Sequence, residues 1–168
     1  KQKGKSNAKH YEEVSVLFTD FVNFTANSER IGVQEVLNEL NICFTEFDRI
    51  MEKYGLEKIK TIGDAYLAVS GLPVSNEQHA KNAVDASLEI LSYIQQRKKV
   101  NPNALDIRIG IHSGPVIAGI VGVKKFAYDI WGDTVNTAAR MEQNSSLGKL
   151  NVSEATYNLI KNDFSFEY

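Results

Sequence analysis

Glu57-Lys58-Ile59-Lys60-Thr61-Ile62-Gly63-Asp64-Ala65-Tyr66-Leu67-Ala68-Val69-Ser70-Gly71 reads as two short β-strands meeting at Gly63-Asp64. Ile59, Thr61, Tyr66 and Val69 are good strand formers, and Gly63 supplies the backbone freedom a tight reversal needs. The hairpin therefore presents one carboxylate, Asp64, at its tip, with Lys60 further back on the first strand. By itself this is ordinary turn chemistry with solvated charges. The flanking segments give it meaning.

Before the hairpin, Val14-Ser15-Val16-Leu17-Phe18-Thr19-Asp20 is an apolar run and predicts a buried central strand. Asp20 falls at its C-terminal end, where open α/β sheets gather ligands; the bland alternative for Asp20 is a helix N-cap. Phe21 to Thr25 lead into a short helix at 26–30, and the amides of such a turn can bind phosphate. Val36, Leu40, Phe44, Phe47, Ile50 and Tyr54 recur every three or four residues, predicting a long amphipathic helix stopped at Gly55.

After the hairpin, a second helix is expected over 75–97, with Ala80, Val84, Leu88, Leu91 and Ile94 inward. Leu105 to His112 alternates as a strand, with Arg108 opposite in phase to Ile107 and Ile109. Arg108 is either an exposed sheet residue or a phosphate ligand; His112 is assigned no role. Ser113-Gly114 predicts a turn, with 115–121 returning as the partner strand. Phe126 to Gly132 reads as extended. Asp133 to Met141 reads as a helix that places Asn136 and Arg140, four apart, on one face. Leu150-Asn151-Val152 is a short strand, Ser153 caps a last helix, and Phe164 to Tyr168 is expected to begin another strand. This order predicts an α+β fold, a mainly antiparallel sheet with helices on one face.

The chain has 168 residues, enough for one domain with a sizeable core. A net charge of −2 gives no electrostatic case for nucleic acid. The single cysteine, Cys43, excludes an internal disulfide and lies on the apolar side of a helix. No apolar run is long enough to span a bilayer. Residues 1–10 are polar and basic and read as a linker or flexible terminus, ahead of a domain at 11–168. The absence of an initial Met suggests a fragment of a longer protein.

Together, Leu17-Phe18-Thr19-Asp20 with Phe24-Thr25, Lys60 to Tyr66, Arg108 to Gly114 and Tyr128 to Met141 resemble the class III nucleotidyl cyclase catalytic domain. The resemblance covers about 14–168. It implies a ferredoxin-like βαββαβ core and an enzyme that converts ATP to 3′,5′-cyclic AMP and pyrophosphate. It makes Asp20, Asp64 and the carbonyl of Phe21 ligands of two Mg²⁺ or Mn²⁺ ions. Arg140 would stabilise charge on the reacting phosphate and Asn136 orient the ribose. Arg108 would hold the distal phosphates, and Phe24, Thr25 and Ile130 would line the nucleotide site.

Lys60 and Asp129 match the residues that read the base. Lysine only donates and ionised aspartate only accepts, which suits adenine's ring nitrogen and amino group. Guanylyl members typically carry Glu and Cys there. The alternatives are a guanylyl cyclase, or a weakly active cyclase-fold module for regulation or dimerisation. The family works as a dimer with sites at the interface, and this chain carries both sets of residues, implying a homodimer with two sites. The resemblance also implies an upstream regulatory or membrane region and a cytoplasmic setting. Asn23 replaces a Gly common before Phe-Thr. A C-terminal hairpin carrying a phosphate-binding lysine has no match here.

Overall fold

The computed structural model describes residues 8–167. In chain order the elements are β1 (Lys9–Val22), α1 (Phe24–Ile31), α2 (Val33–Tyr54), β2 (Glu57–Ile62), β3 (Ala65–Ser70) and α3 (His79–Val100). They continue with β4 (Asp106–Val121), β5 (Ala127–Trp131), α4 (Asp133–Gln143), β6 (Leu150–Val152) and α5 (Glu154–Ile160). The strand order β2-β3-β1-β4-β5 is antiparallel throughout, and β6 joins β4 in parallel. The first four strands with α1–α3 form the expected ferredoxin-like βαββαβ core, in an α+β fold with a mainly antiparallel sheet.

The hairpin forms as read. Gly63 takes φ 62° at the first loop position, where a two-residue hairpin favours glycine. Helix α2 ends at Gly55, whose left-handed φ of 75° lets its amide reach back to Glu52 and Met51. One face of the sheet packs on α2 and α3 through Leu17, Phe21, Tyr66, Ile107, Ile109 and Ile111, with Phe47 and Ile50 opposite them. Cys43 belongs to this core, and burial pushes its thiol up to about 12, so it is packing and not chemistry.

Strand β1 begins at Lys9, so Lys9 and His10 pair with Ala118 and Ile117; residues 1–7 of the expected linker lie outside the described residues. Helix α3 runs from His79 to Val100, and Leu88 is 45% exposed. Strict four-residue spacing drifts about 40° per step around a helix. The buried stripe instead follows Ala80, Ala83, Ser87, Ile90 and Ile94.

No turn occurs at Ser113-Gly114: β4 is one strand from Asp106 to Val121, and its hairpin partner is β5. Gly114 serves close approach, since a Cβ there would lie 2.7 Å from Thr134 Oγ1. Helix α4 therefore packs on the face of β4 that carries Gly110 and Gly114, opposite α2 and α3, so helices cover both faces. No strand forms over 164–167. Among the described residues no helix is long and apolar enough to cross a membrane.

Candidate active site

Strand β1 brings Asp20 to its C-terminal end, in register with Arg108 of β4 and Ala65 of β3. Its neighbour Phe21 is buried and stacks on Phe47 with ring centroids 6.0 Å apart. That ring anchors the strand end in the core and leaves the main-chain oxygen as the group of Phe21 able to meet an ion. Asp64, on the hairpin tip beside Ala65, comes close to Asp20.

Burial, the adjacent Asp64 and the nearby Glu142 push the Asp20 carboxyl from 3.8 up to about 7, against a smaller lowering by Arg108. Arg108 Nη2 stands 3.8 Å from Asp20 Oδ2, and its Nε donates to Glu142 Oε2 at 3.1 Å. Asp20 and Glu142 thus share one guanidinium, with Asp64 beside Asp20. That surplus of negative charge fits a divalent cation, whose hard oxygen ligands are Asp carboxylates and carbonyls. Among the described residues no three His, Cys, Asp or Glu side chains are placed to share an ion. Asp20, Asp64 and the Phe21 carbonyl would therefore need oxygens from water or a bound phosphate to complete a shell.

Next to these groups Asn23 adopts φ 63°, the one non-glycine with positive φ among the described residues. Asn tolerates this left-handed conformation better than most side chains, so the replacement of glycine keeps a glycine-like backbone. It caps α1 without a side-chain hydrogen bond, leaving the first-turn amides open to an anion. Phe24 is half-buried against the core, whereas Thr25 is exposed.

A second group forms where β2 and β5 approach each other. Lys60 Nζ donates to Asp129 Oδ2 at 2.9 Å, and the Ile130 amide donates to Asp129 Oδ1 at 2.8 Å. Asp129 is shielded while Lys60 stays half-exposed, so the ammonium keeps donors for a further partner. The sheet order puts these strands at opposite ends, yet Ile59 and Tyr128 pack on one core with Val16 and Val69. No sequence spacing signals this 69-residue pairing.

Asn136 and Arg140 lie on the exposed side of α4, as their spacing predicted. Arg140 Nη2 donates to Thr137 Oγ1 at 3.2 Å. Burial first, then the Arg140 charge, holds the His112 imidazole below its usual range. His112 bonds Ser153 Oγ through Nδ1 at 2.7 Å. Among the described residues no hydrogen bond or ion pair joins Asp20, Asp64 and Arg108 to Lys60, Asp129, Asn136 or Arg140.

Glu142 was missed in the sequence. It is 4% exposed, on the same face of α4 as the buried Thr134 and Ala138. The signal was available: a carboxylate at the i+4 position of an inward stripe needs a buried partner.

A family model described as "Adenylate and Guanylate cyclase catalytic domain" matches residues 6–168. An adenylate cyclase of Mycobacterium tuberculosis is 39% identical over 157 residues, covering 94% of this chain and 35% of that protein. A receptor-type guanylate cyclase of Caenorhabditis elegans is 40% identical over 161 residues, covering 94% of this chain and 14% of that protein. The chain thus spans about a third or less of these relatives' length. Among solved structures, the catalytic core of a rhodopsin-guanylyl cyclase with converted specificity, in complex with ATPαS, superposes with a TM-score of 0.88. It shares 44% identity, with 95% of this chain and 86% of that one covered.

Proposed function

This chain belongs to the adenylate and guanylate cyclase catalytic domain family, and we propose that it is an adenylyl cyclase working as a homodimer. The observation that carries this reading is the Lys60–Asp129 pair, a donor beside an acceptor. Relatives of both specificities share about 40% identity with the chain, so family membership alone does not choose the nucleotide. The pair supports adenine: its pattern complements adenine and opposes guanine. A side-by-side assay of cyclic AMP and cyclic GMP formation tests it.

In this reading a complete site spans two subunits. One contributes Asp20, the Phe21 carbonyl, Asp64, the α1 amides and Arg108. The partner contributes its own Lys60, Asp129, Ile130, Asn136 and Arg140. Two divalent ions, Mg²⁺ or Mn²⁺, held by Asp20, Asp64 and the Phe21 carbonyl, would supply Lewis-acid activation of the 3′-hydroxyl and charge neutralisation on the departing pyrophosphate. The chain's residues do the rest. Lys60 donates to the adenine ring nitrogen and Asp129 accepts from the amino group. Asn136 holds the ribose so that its 3′-oxygen faces the α-phosphorus, and positioning of this kind supplies much of the rate. A bond forms from that oxygen to phosphorus, and the bond to the bridging oxygen breaks. The hydroxyl proton passes to solvent water, and pyrophosphate leaves with the electron pair of the broken bond. Arg140 meets the charge developing on the α-phosphoryl oxygens, and Arg108 with the α1 amides holds the distal phosphates.

The shared site makes a mixing prediction. Asp20→Ala and Arg140→Ala chains are each inactive as homodimers. In a mixed dimer both lesions fall in one site and the other site is intact. Random mixing makes about half the dimers mixed, so about a quarter of parental activity returns. Assays on mixed and unmixed variants check it, with the two chains carrying different affinity tags so that co-purification shows mixed dimers form. Mixed dimers without activity would contradict a site built across the interface.

The carboxylate crowding also predicts a stability profile. Asp20 binds its proton more tightly folded than unfolded, so its contribution to stability is present below about pH 4 and is lost as pH rises through about 7. His79 and His112 are held below their usual range and act in the opposite sense, so the parent curve alone is not diagnostic. The expected result is the difference: Asp20→Asn removes part of the decline between pH 4 and 7. Added Mn²⁺ raises the parent's Tm more at pH 7.5 than at pH 5, and the variant's little at either. Thermal melts across pH check it.

A further inference from the structure

Glu142 is a buried carboxylate with one charged partner. It is 4% exposed, and its hydrogen bond from Arg108 Nε at 3.1 Å is its one ion pair among the described residues. A buried ion pair stabilises a fold little compared with an apolar pair of the same shape, so packing alone gives weak reason for this one. Its geometry gives a better reason. Arg108 is the one cation paired with Asp20, at 3.8 Å, too far for a direct hydrogen bond. With Nε engaged by Glu142, the guanidinium is held back from a two-pronged pairing with Asp20, and its outer nitrogens stay available. Glu142 is also firmly placed. Helix α4 touches β4 so closely that a Cβ on Gly110 would lie 2.1 Å from the Glu142 amide nitrogen. The same helix carries Asn136 and Arg140 on its outer side, two turns and less from Glu142.

We propose that Glu142 is the positioning residue for Arg108, and that through it the phosphate-holding arginine of one site is tied to the helix serving the other. Resting on the two-subunit site above, it gives each chain a direct physical link between its two groups of residues. Without the carboxylate, Arg108 turns onto Asp20. It then stops serving the distal phosphates and neutralises a carboxylate the cations need. Nucleotide and metal affinity fall together, while the rate at saturation changes less.

The test is a double-mutant cycle on the dimeric chain, read by titration of ATPαS and of GTPαS with Mn²⁺ and by activation with Mn²⁺ at saturating nucleotide. Glu142→Ala is expected to weaken binding of the preferred analogue about tenfold and to raise the Mn²⁺ requirement several-fold. Glu142→Gln, whose amide oxygen still accepts from Nε, is expected to recover most of the loss. In an Arg108→Ala background Glu142→Ala should change binding less than about twofold. Equal losses in both backgrounds, or a fall in Tm with unchanged affinity, overturn the proposal. If Glu142→Ala does not fold, Glu142→Leu, which keeps the buried volume and removes the acceptor, takes its place in the cycle against Arg108→Ala. A parent that prefers GTPαS contradicts the adenine reading and leaves the cycle readable. A parent that binds neither analogue contradicts both.

Discussion

Asp64→Ala is expected to abolish cyclisation while leaving the fold intact. Asp64 sits at the tip of the β2–β3 hairpin, outside the core, and its loss removes no buried apolar surface. The turn survives because Gly63, not Asp64, adopts the positive φ. Thermal stability should hold or rise slightly, since removing one of three crowded carboxylates relieves repulsion on Asp20. In the proposed mechanism Asp64 is a ligand of the ions that stabilise transferring phosphoryl charge, a contribution of several kcal/mol. At about 1.4 kcal/mol per factor of ten, the expected fall in kcat is on the order of a thousandfold or more. Initial rates with Mg²⁺ and with Mn²⁺, beside circular dichroism and thermal melts, check it. An Asp64→Ala chain that keeps near-parental rates would remove Asp64 from the metal site.

Exchanging the base-reading pair carries the second large effect. In the proposed reading, Lys60 of the parent meets the adenine ring acceptor and Asp129 the amino donor. With guanine, Lys60 faces a ring N–H and Asp129 faces a carbonyl oxygen. A buried polar group left unsatisfied costs about 1–3 kcal/mol, and more when charged. Two such mismatches correspond to a discrimination on the order of a hundredfold or more. Lys60→Glu with Asp129→Cys reverses the pattern: the glutamate accepts from guanine N–H groups, and the thiol donates weakly to the carbonyl. The selectivity ratio should move toward GTP by about two orders of magnitude, with lower turnover because the surrounding packing suits the original pair. Either substitution alone should do less, because Lys60 and Asp129 bond each other and each loses its partner. Measuring kcat/KM for both nucleotides on parent, single and double variants checks it.

What was legible in the sequence was local. The hairpin, the long helix ending at Gly55, the alternation that sets Arg108 apart from Ile107 and Ile109, and the shared face of Asn136 and Arg140 follow from periodicity and turn chemistry within a few residues. Asp20 was legible as a polar residue ending an apolar strand. The errors arose where local chemistry has two meanings. Ser113-Gly114 has turn composition, but Gly114 is there for the close approach of Thr134, and Ser113 bonds Ser15 and Thr156 inside the core. Leu88 fits a four-residue ladder but rotates out of the buried stripe. Glu142 lies one residue past the helix expected over 133–141, and its partner Arg108 lies 34 residues away. Long-range proximity of this kind, like that of Lys60 and Asp129, comes from tertiary packing and leaves no mark in spacing.

The most direct measurement supplies the parent chain with ATP and GTP side by side, with Mg²⁺ and with Mn²⁺, and quantifies cyclic AMP and cyclic GMP. The reading of Lys60 and Asp129 predicts cyclic AMP as the main product, with kcat/KM for ATP higher on the order of a hundredfold. Equal turnover of the two nucleotides, or a preference for GTP, would contradict it.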